Sequence, residues 1–184
     1  MIIHLSLTAI FFLFCLAVIY GAICDVRTYT IPNRVSYGLV GLFVVFATLV
    51  WLNTPYMPHI PHSGLHVPPI LFNVAYGLAV FIFFLVFWKL GWVGGGDAKF
   101  VSAISLFMGL EHVLQFVILL SIFALAFVMV LKFLQIMNPL FLGGKLPGFV
   151  KKMLLKAEEK AIPYGLPAAM SALIVIPNVM ARVY

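Results

Sequence analysis

The sequence predicts an all-α integral membrane protein, a single domain over residues 1–184 built as a bundle of six transmembrane helices with both termini extracytoplasmic. Three observations predict this architecture: the composition, the length of the uncharged runs and the placement of the basic residues. Of the 184 residues, 65% are hydrophobic and 9% are charged, and the mean hydropathy is +1.19. Soluble domains are about 45–50% apolar and about 25% charged. The composition therefore excludes a soluble globular domain, a disordered tail and a nucleic-acid-binding module.

Six uncharged apolar runs define the helices in order. They cover residues 2–24, 35–52, 70–88, 100–110, 113–131 and 161–181. Five of the runs approach the roughly 20 residues that cross a bilayer as a helix, whereas alternating β-barrel strands are never uninterrupted for so long. The short fourth run spans only if it extends from Asp97 to His112. The first run has no basic region before it, so we expect a retained helix and not a cleaved signal peptide.

The basic residues alternate between the two ends of these helices. Ten of the eleven Lys and Arg residues lie in or beside the first, third and fifth connections, and only Arg182 lies on the other side. Because positively charged connections stay in the cytoplasm, this pattern predicts cytosolic first, third and fifth connections. Within the fifth, a segment at about 145–160 has apolar residues at helical spacing and several lysines. It predicts an amphipathic helix on the inner leaflet.

The second connection carries three histidines. His59, His62 and His66 lie in a proline-rich stretch on the predicted outer side. Their spacing is compatible with a metal ligand set, but no acidic or cysteine partner accompanies them, and three imidazoles alone rarely fix a tetrahedral site. We therefore favour an irregular polar loop and predict no metal and no other cofactor.

The chain contains only two aspartates, Asp25 at the end of the first helix and Asp97 at the start of the fourth. The predicted topology puts both at the cytoplasmic face, and ionisable residues within a membrane bundle are costly and usually functional. Two such carboxylates are the minimum set for aspartic proteolysis, in which one accepts a proton from water and the other polarises the peptide carbonyl. Helix dipoles favour an ionised Asp97 and a protonated Asp25. Alternatively, Asp97 is only a helix cap and Asp25 only a partner of Arg27.

Short motifs surround the two aspartates. A glycine triplet before Asp97 lets the backbone approach another chain closely, either an extended substrate or a neighbouring helix. A lysine two residues after Asp97 is placed to orient a carboxylate or an acidic group of the substrate, and an Ile-Pro-Asn sequence begins the second helix. The residues concerned are Pro32, Asn33, Gly94, Gly95, Gly96 and Lys99.

Together these residues resemble the type IV prepilin peptidases, membrane aspartic proteases of the GxGD class. Asp25 and Asp97 match the catalytic aspartates of that family, and Pro163, Tyr164 and Gly165 resemble a short motif in its last helix. The resemblance implies that the enzyme sits in the inner membrane. It also implies removal of a basic leader peptide from a prepilin or pseudopilin at the cytoplasmic face, typically after a glycine.

Larger members of that family also methylate the new N-terminus, using an added cytosolic segment between the first two helices. Here only residues 25–34 fill that space. The chain therefore resembles the short, peptidase-only form of the tight-adherence (Flp) pilus systems, and S-adenosylmethionine is not implied. The implied partners are the pilin-like substrate and the lipid bilayer, with no nucleic acid.

Three alternatives remain open from the sequence. A proton-coupled transporter or channel would use Asp25 and Asp97 as relay groups, although transporter sites usually lie near the bilayer midplane. A presenilin-like protease shares the GxGD motif, but it needs more helices than this chain can form. A structural assembly subunit would use the two aspartates only as caps.

Overall fold

The computed structural model describes residues 2–53, 69–137 and 164–183, and within them all regular structure is helical. The helices are α1 (Ile2–Thr28), α2 (Asn33–Asn53), α3 (Pro69–Lys89), α4 (Gly95–Met137) and α5 (Gly165–Val183). Because α4 is broken at Gly109, each of the six apolar runs corresponds to one helical segment. The predicted all-helical class is confirmed. The amphipathic segment at about 145–160, the three histidines of the second connection and Pro163 lie outside the described residues.

Four stretches of these helices are long and apolar enough to cross a membrane. They are Leu5–Thr28, Asn33–Leu52, Ile70–Lys89 and His112–Met137, while Gly165–Ala181 is a shorter apolar helix. Large apolar side chains such as Leu13, Ile82 and Leu125 point outward and are at least half exposed, as suits contact with lipid tails that are as apolar as leucine. The chain is thus a multi-pass membrane protein, while six full spans and extracytoplasmic termini stay predictions.

Gly109 divides α4 into two segments. Its φ of 62° and ψ of 180° lie in a region open essentially only to glycine. A Cβ atom at this position would also lie 3.1 Å from Oδ1 of Asn73 in α3. The sequence predicted the break at the polar pair of residues 111 and 112, because charge marks solvent exposure. The backbone turns slightly earlier, where glycine permits the sharp change, and the second segment continues to Met137.

The first segment of α4 is the most enclosed part of the described protein. Most of its side chains are buried, and α4 packs against α2, α3 and α5 while α1 packs against α2 and α5. Phe107 lies 4.6 Å from Phe14 of α1 and 5.4 Å from Phe43 of α2, measured between ring centroids. These aromatic contacts hold α1 and α2 against α4. The segment that begins with Asp97 is therefore fixed by neighbours on several sides.

We expect Gly109→Ala to destabilise the protein by about 1–3 kcal/mol, because alanine is strained in this backbone conformation and its methyl group meets Asn73. Thermal unfolding in detergent measures the loss. Gly41→Ala is the matched control, since a Cβ there has no neighbour within 4 Å and alanine favours the helix interior. Equal melting temperatures for Gly109→Ala and the wild type would contradict this account of the break.

Candidate active site

Asp25 lies in the last turn of α1 and is buried, with 2% of its surface exposed. Its Oδ2 accepts a hydrogen bond of 2.6 Å from the backbone N–H of Gly165, the first residue of α5. The first N–H groups of a helix lack partners within the helix and carry partial positive charge. The carboxylate of Asp25 therefore caps α5, and this contact favours its ionised form.

Position 165 must be glycine because its backbone lies so close to the side chain of Asp25. A Cβ atom built at Gly165 would lie 2.8 Å from both Cβ and Oδ2 of Asp25 and 3.1 Å from its Cγ. Any side chain would therefore push the carboxylate away from the N-terminus of α5. The expected role of Gly165 as structural support of the site agrees with this geometry.

Asp97 lies in the first turn of α4 and is also buried, with 9% of its surface exposed. Burial and, to a smaller extent, the charge of Asp25 raise its pKa to about 7, although a hydrogen bond from the Gly94 backbone acts in the opposite direction. A carboxyl group in this environment holds its proton near neutral pH. The expectation from the helix dipoles, an ionised Asp97 and a protonated Asp25, considered neither burial nor the N-terminus of α5, and which aspartate holds the proton stays a prediction.

The two aspartates and the start of α5 form one electrostatic cluster. The charge of Asp25 raises the pKa of Asp97. Burial raises the pKa of the Tyr164 phenol, and the charge of Asp97 raises it further. Since Tyr164 directly precedes Gly165, residues from α1, α4 and the start of α5 meet at one place. We call these residues, Asp25, Asp97, Tyr164 and Gly165, the aspartate cluster.

The glycine triplet brings α4 close to the rest of the chain. A Cβ at Gly96 would lie 3.2 Å from the carbonyl oxygen of Ile31, and a Cβ at Gly95 would lie 3.2 Å from Nε1 of Trp88. Two of the three glycines therefore face the protein itself, as expected for tight packing. Gly94 is exposed beside Asp97, where a Cβ would lie 2.8 Å from the Oδ2 atom of that aspartate.

Lys99 and Asn33 connect α4 to the start of α2. The Lys99 ammonium donates a hydrogen bond of 3.2 Å to Oδ1 of Asn33. Beside them, the Pro32 carbonyl accepts a hydrogen bond of 2.9 Å from the N–H of Val35 in the first turn of α2. The lysine was expected to orient a carboxylate or an acidic group of the substrate, or to support the site structurally. Its contact with the amide of Asn33 agrees with structural support, while a contact with a carboxylate or with substrate stays a prediction.

Two further residues at the site were not singled out from the sequence. Tyr29 directly follows the last residue of α1 and has a left-handed φ of 56°, a conformation that costs a non-glycine residue about 1–2 kcal/mol. Its N–H donates a hydrogen bond of 2.8 Å to the Asp25 carbonyl. Trp88 lies against Gly95. In the sequence, only the spacing of four residues between Asp25 and Tyr29 hints that Tyr29 lies at the site. No sequence pattern indicates Trp88.

Among the residues that the structure describes, no group of three or more His, Cys, Asp or Glu side chains could hold a metal ion. The two aspartates of the cluster are acidic groups without such partners. The arrangement is suited to proton transfer between two carboxyl groups and a molecule placed between them. That the reaction needs no metal and no other cofactor stays a prediction.

Comparison with known proteins agrees with this geometry. A family model described as the type IV leader peptidase family matches residues 12–129, a range that contains Asp25, the Ile-Pro-Asn sequence and Asp97. No curated protein and no solved structure matches the chain. Because the family match covers well over half of the chain, this protein belongs to the type IV leader peptidase family.

Proposed function

We propose that this protein is a membrane aspartic endopeptidase that removes the basic leader peptide from type IV prepilin-like precursors at the cytoplasmic membrane face. The observation that carries the proposal is the pair of buried aspartates, Asp25 and Asp97, coupled by charge at one end of the bundle. Family membership supplies the peptidase activity and a pilin-like substrate. A proton-coupled transporter or channel would also use two buried carboxyl groups, but the family match favours the peptidase.

The proposed reaction starts with one proton on the pair, held by Asp97. Asp25 accepts a proton from water as the water oxygen attacks the carbonyl carbon of the scissile peptide bond. Asp97 gives its proton to the carbonyl oxygen, which produces a neutral gem-diol. The C–N bond then breaks as Asp25 returns its proton to the leaving amine nitrogen, and one hydroxyl of the gem-diol reprotonates Asp97. The products are a carboxylic acid and a free N-terminus, and the pair again shares one proton.

The hydrogen bond from Gly165 supports Asp25 as the base. Oδ2 of Asp25 accepts the backbone N–H of Gly165, and a hydrogen bond of this kind favours the ionised carboxylate that a base requires. Two carboxyl groups that are close together do not readily ionise at once, so the charge of Asp25 helps Asp97 to keep its proton. The macroscopic pKa values belong to the pair.

The cytoplasmic position and the peptidase-only activity are parts of the same proposal. The sequence pattern predicts that ten of the eleven basic residues lie in or beside connections on the same side as the two aspartates, which supports a cytoplasmic site in the inner membrane. Only residues 29–32 separate α1 from α2. This short link supports the compact form found with tight-adherence (Flp) pili, without N-methyltransferase activity.

Asp25→Asn and Asp97→Asn test the catalytic pair. We expect each variant to lose at least about 10²-fold in cleavage rate, the contribution of a positioned acid or base, because an amide cannot cycle a proton. The assay is cleavage of a co-expressed, tagged precursor with a basic leader and a glycine at the cleavage site. Glu111→Gln, which removes a carboxylate from a connection predicted on the opposite face, is the control and keeps wild-type cleavage. Full activity in either aspartate variant would refute the dyad.

Gly165→Ala tests the support of Asp25 by α5. The added methyl group displaces the carboxylate, and a misplacement of about 1 Å lowers catalysis by about 10²-fold. We expect kcat to fall while KM changes little, as measured with the purified enzyme and a purified precursor. Gly38→Ala is the matched control, because a Cβ at that position of α2 has no neighbour within 4 Å. Wild-type kcat in a folded Gly165→Ala variant would show that this contact does not position the base.

A further inference from the structure

We propose that a groove between α1 and α5 binds the apolar helix of the precursor and holds its scissile bond beside Asp25. The groove has a volume of about 610 Å³. This inference rests on the proposed function, since it assigns the part of the protein that receives the membrane-embedded half of that substrate. The groove is lined by Ile19, Ala22, Ile23, Val26, Arg27, Leu166, Ala169, Met170 and Leu173.

The position of the groove links it to the aspartate cluster. Ala22 and Val26 line it on either side of Asp25 in the sequence, and Leu166 follows Gly165. The groove therefore runs along the same two helices that the Asp25–Gly165 hydrogen bond joins. Between Ile19 and Arg27 it extends for about 12 Å at the helical rise of about 1.5 Å per residue. A helix lying in it ends at the level of the aspartates.

The chemistry of the groove selects an apolar helix as the occupant. Eight of its nine lining residues are apolar, and Ile19, Ile23 and Met170 are over 40% exposed. Ile19 and Ile23 belong to Leu5–Thr28, which is long and apolar enough to span the membrane, and Met170 belongs to the shorter apolar helix Gly165–Ala181. The groove between them therefore faces the bilayer and is entered from lipid. A precursor helix already inserted in the membrane can therefore reach the groove by lateral diffusion.

Arg27 gives the groove a charge preference at the end near Asp25. It is exposed and is the one charged residue in the lining. A helix that docks with its N-terminus at this end also brings the positive end of its dipole there. A carboxylate in the first turn of the bound helix would compensate both positive charges. The groove is therefore complementary to an apolar helix whose first turn carries an acidic side chain.

A second groove provides a control surface. It lies between α2, α3 and α4, has a volume of about 270 Å³, and is lined in part by Val40 and Leu78. It is smaller, and its lining includes none of the residues that flank Asp25 in α1 or Gly165 in α5. Leu78, like Met170, is an exposed apolar side chain, so a tryptophan at either position changes the two grooves in a similar way.

The first test compares Met170→Trp with Leu78→Trp in the full-length protein in nanodiscs. We expect Met170→Trp to lower kcat/KM for the precursor by at least about tenfold, mainly through KM, because the ring occupies the groove. Leu78→Trp should stay within about twofold of the wild type. Melting temperatures confirm that both variants are folded. Equal effects of the two variants would overturn the groove. If the wild type itself cleaves no precursor, the proposed function fails, and the groove proposal fails with it.

The second test locates the bound precursor directly. A photo-crosslinking amino acid is placed at Met170 or at Leu78 in the Asp97→Asn background, which retains uncleaved substrate. We expect crosslinks to the apolar helix of the precursor from position 170 and none from position 78. Crosslinks only to lipid from position 170, with cleavage intact in the wild type, would show that the groove is a lipid site and would overturn the proposal.

A double-mutant cycle tests the charge preference. We expect Arg27→Gln to raise KM severalfold for a precursor with a glutamate in the first turn of its apolar helix. For the matched precursor with glutamine there, Arg27→Gln should have no further effect, because the paired charge is already absent. Identical effects of Arg27→Gln on both precursors would overturn the charge preference.

Discussion

The contact between the Asp25 carboxylate and the first backbone N–H of α5 is the constraint on which the site depends. It joins the end of α1 to the start of α5 across 140 residues of sequence. It also places a negative charge where a helix N-terminus stabilises it, inside a bundle where an unpaired charge would be costly. This contact favours the ionised form of Asp25, and the charge of Asp25 raises the pKa of Asp97.

The other features of the site follow from how closely the helices approach. Gly165 lets α5 reach Asp25, and Gly96 lets the start of α4 reach the backbone of Ile31. The enclosed first segment of α4 then holds Asp97 against its neighbours, helped by the rings around Phe107. Polar groups such as Lys99 and Asn33 connect the helices at this end. The packing is tight in the places where two acidic groups must be kept together.

The sequence predicted the helices well because lipid requires long apolar segments whose backbone is satisfied internally. It also predicted that Asp25 and Asp97 stand at helix ends, since each ends or begins an apolar run. It did not predict that the N-terminus of α5 meets Asp25, because this contact is tertiary and leaves no periodic pattern. The roles assigned from the dipole of each aspartate's own helix did not include that contact, and the proposed reaction therefore assigns the proton to Asp97. The break in α4 was misplaced because backbone freedom at Gly109, and not charge, decides where the chain turns.

The most direct test of the shared proton is a titration of the two aspartate carboxyl groups followed by NMR. Asp25 and Asp97 are the chain's only aspartates, so protein labelled with ¹³C at the aspartate carboxyl carbons gives NMR signals from the pair alone. We expect one aspartate to keep its proton up to a pH of about 7, with the signal assigned to Asp97 by its loss in Asp97→Asn. In Asp25→Asn the pKa of Asp97 should fall, because the neighbouring charge is gone. Two independent titrations near the ordinary aspartate pKa, unchanged by either substitution, would contradict the coupled pair.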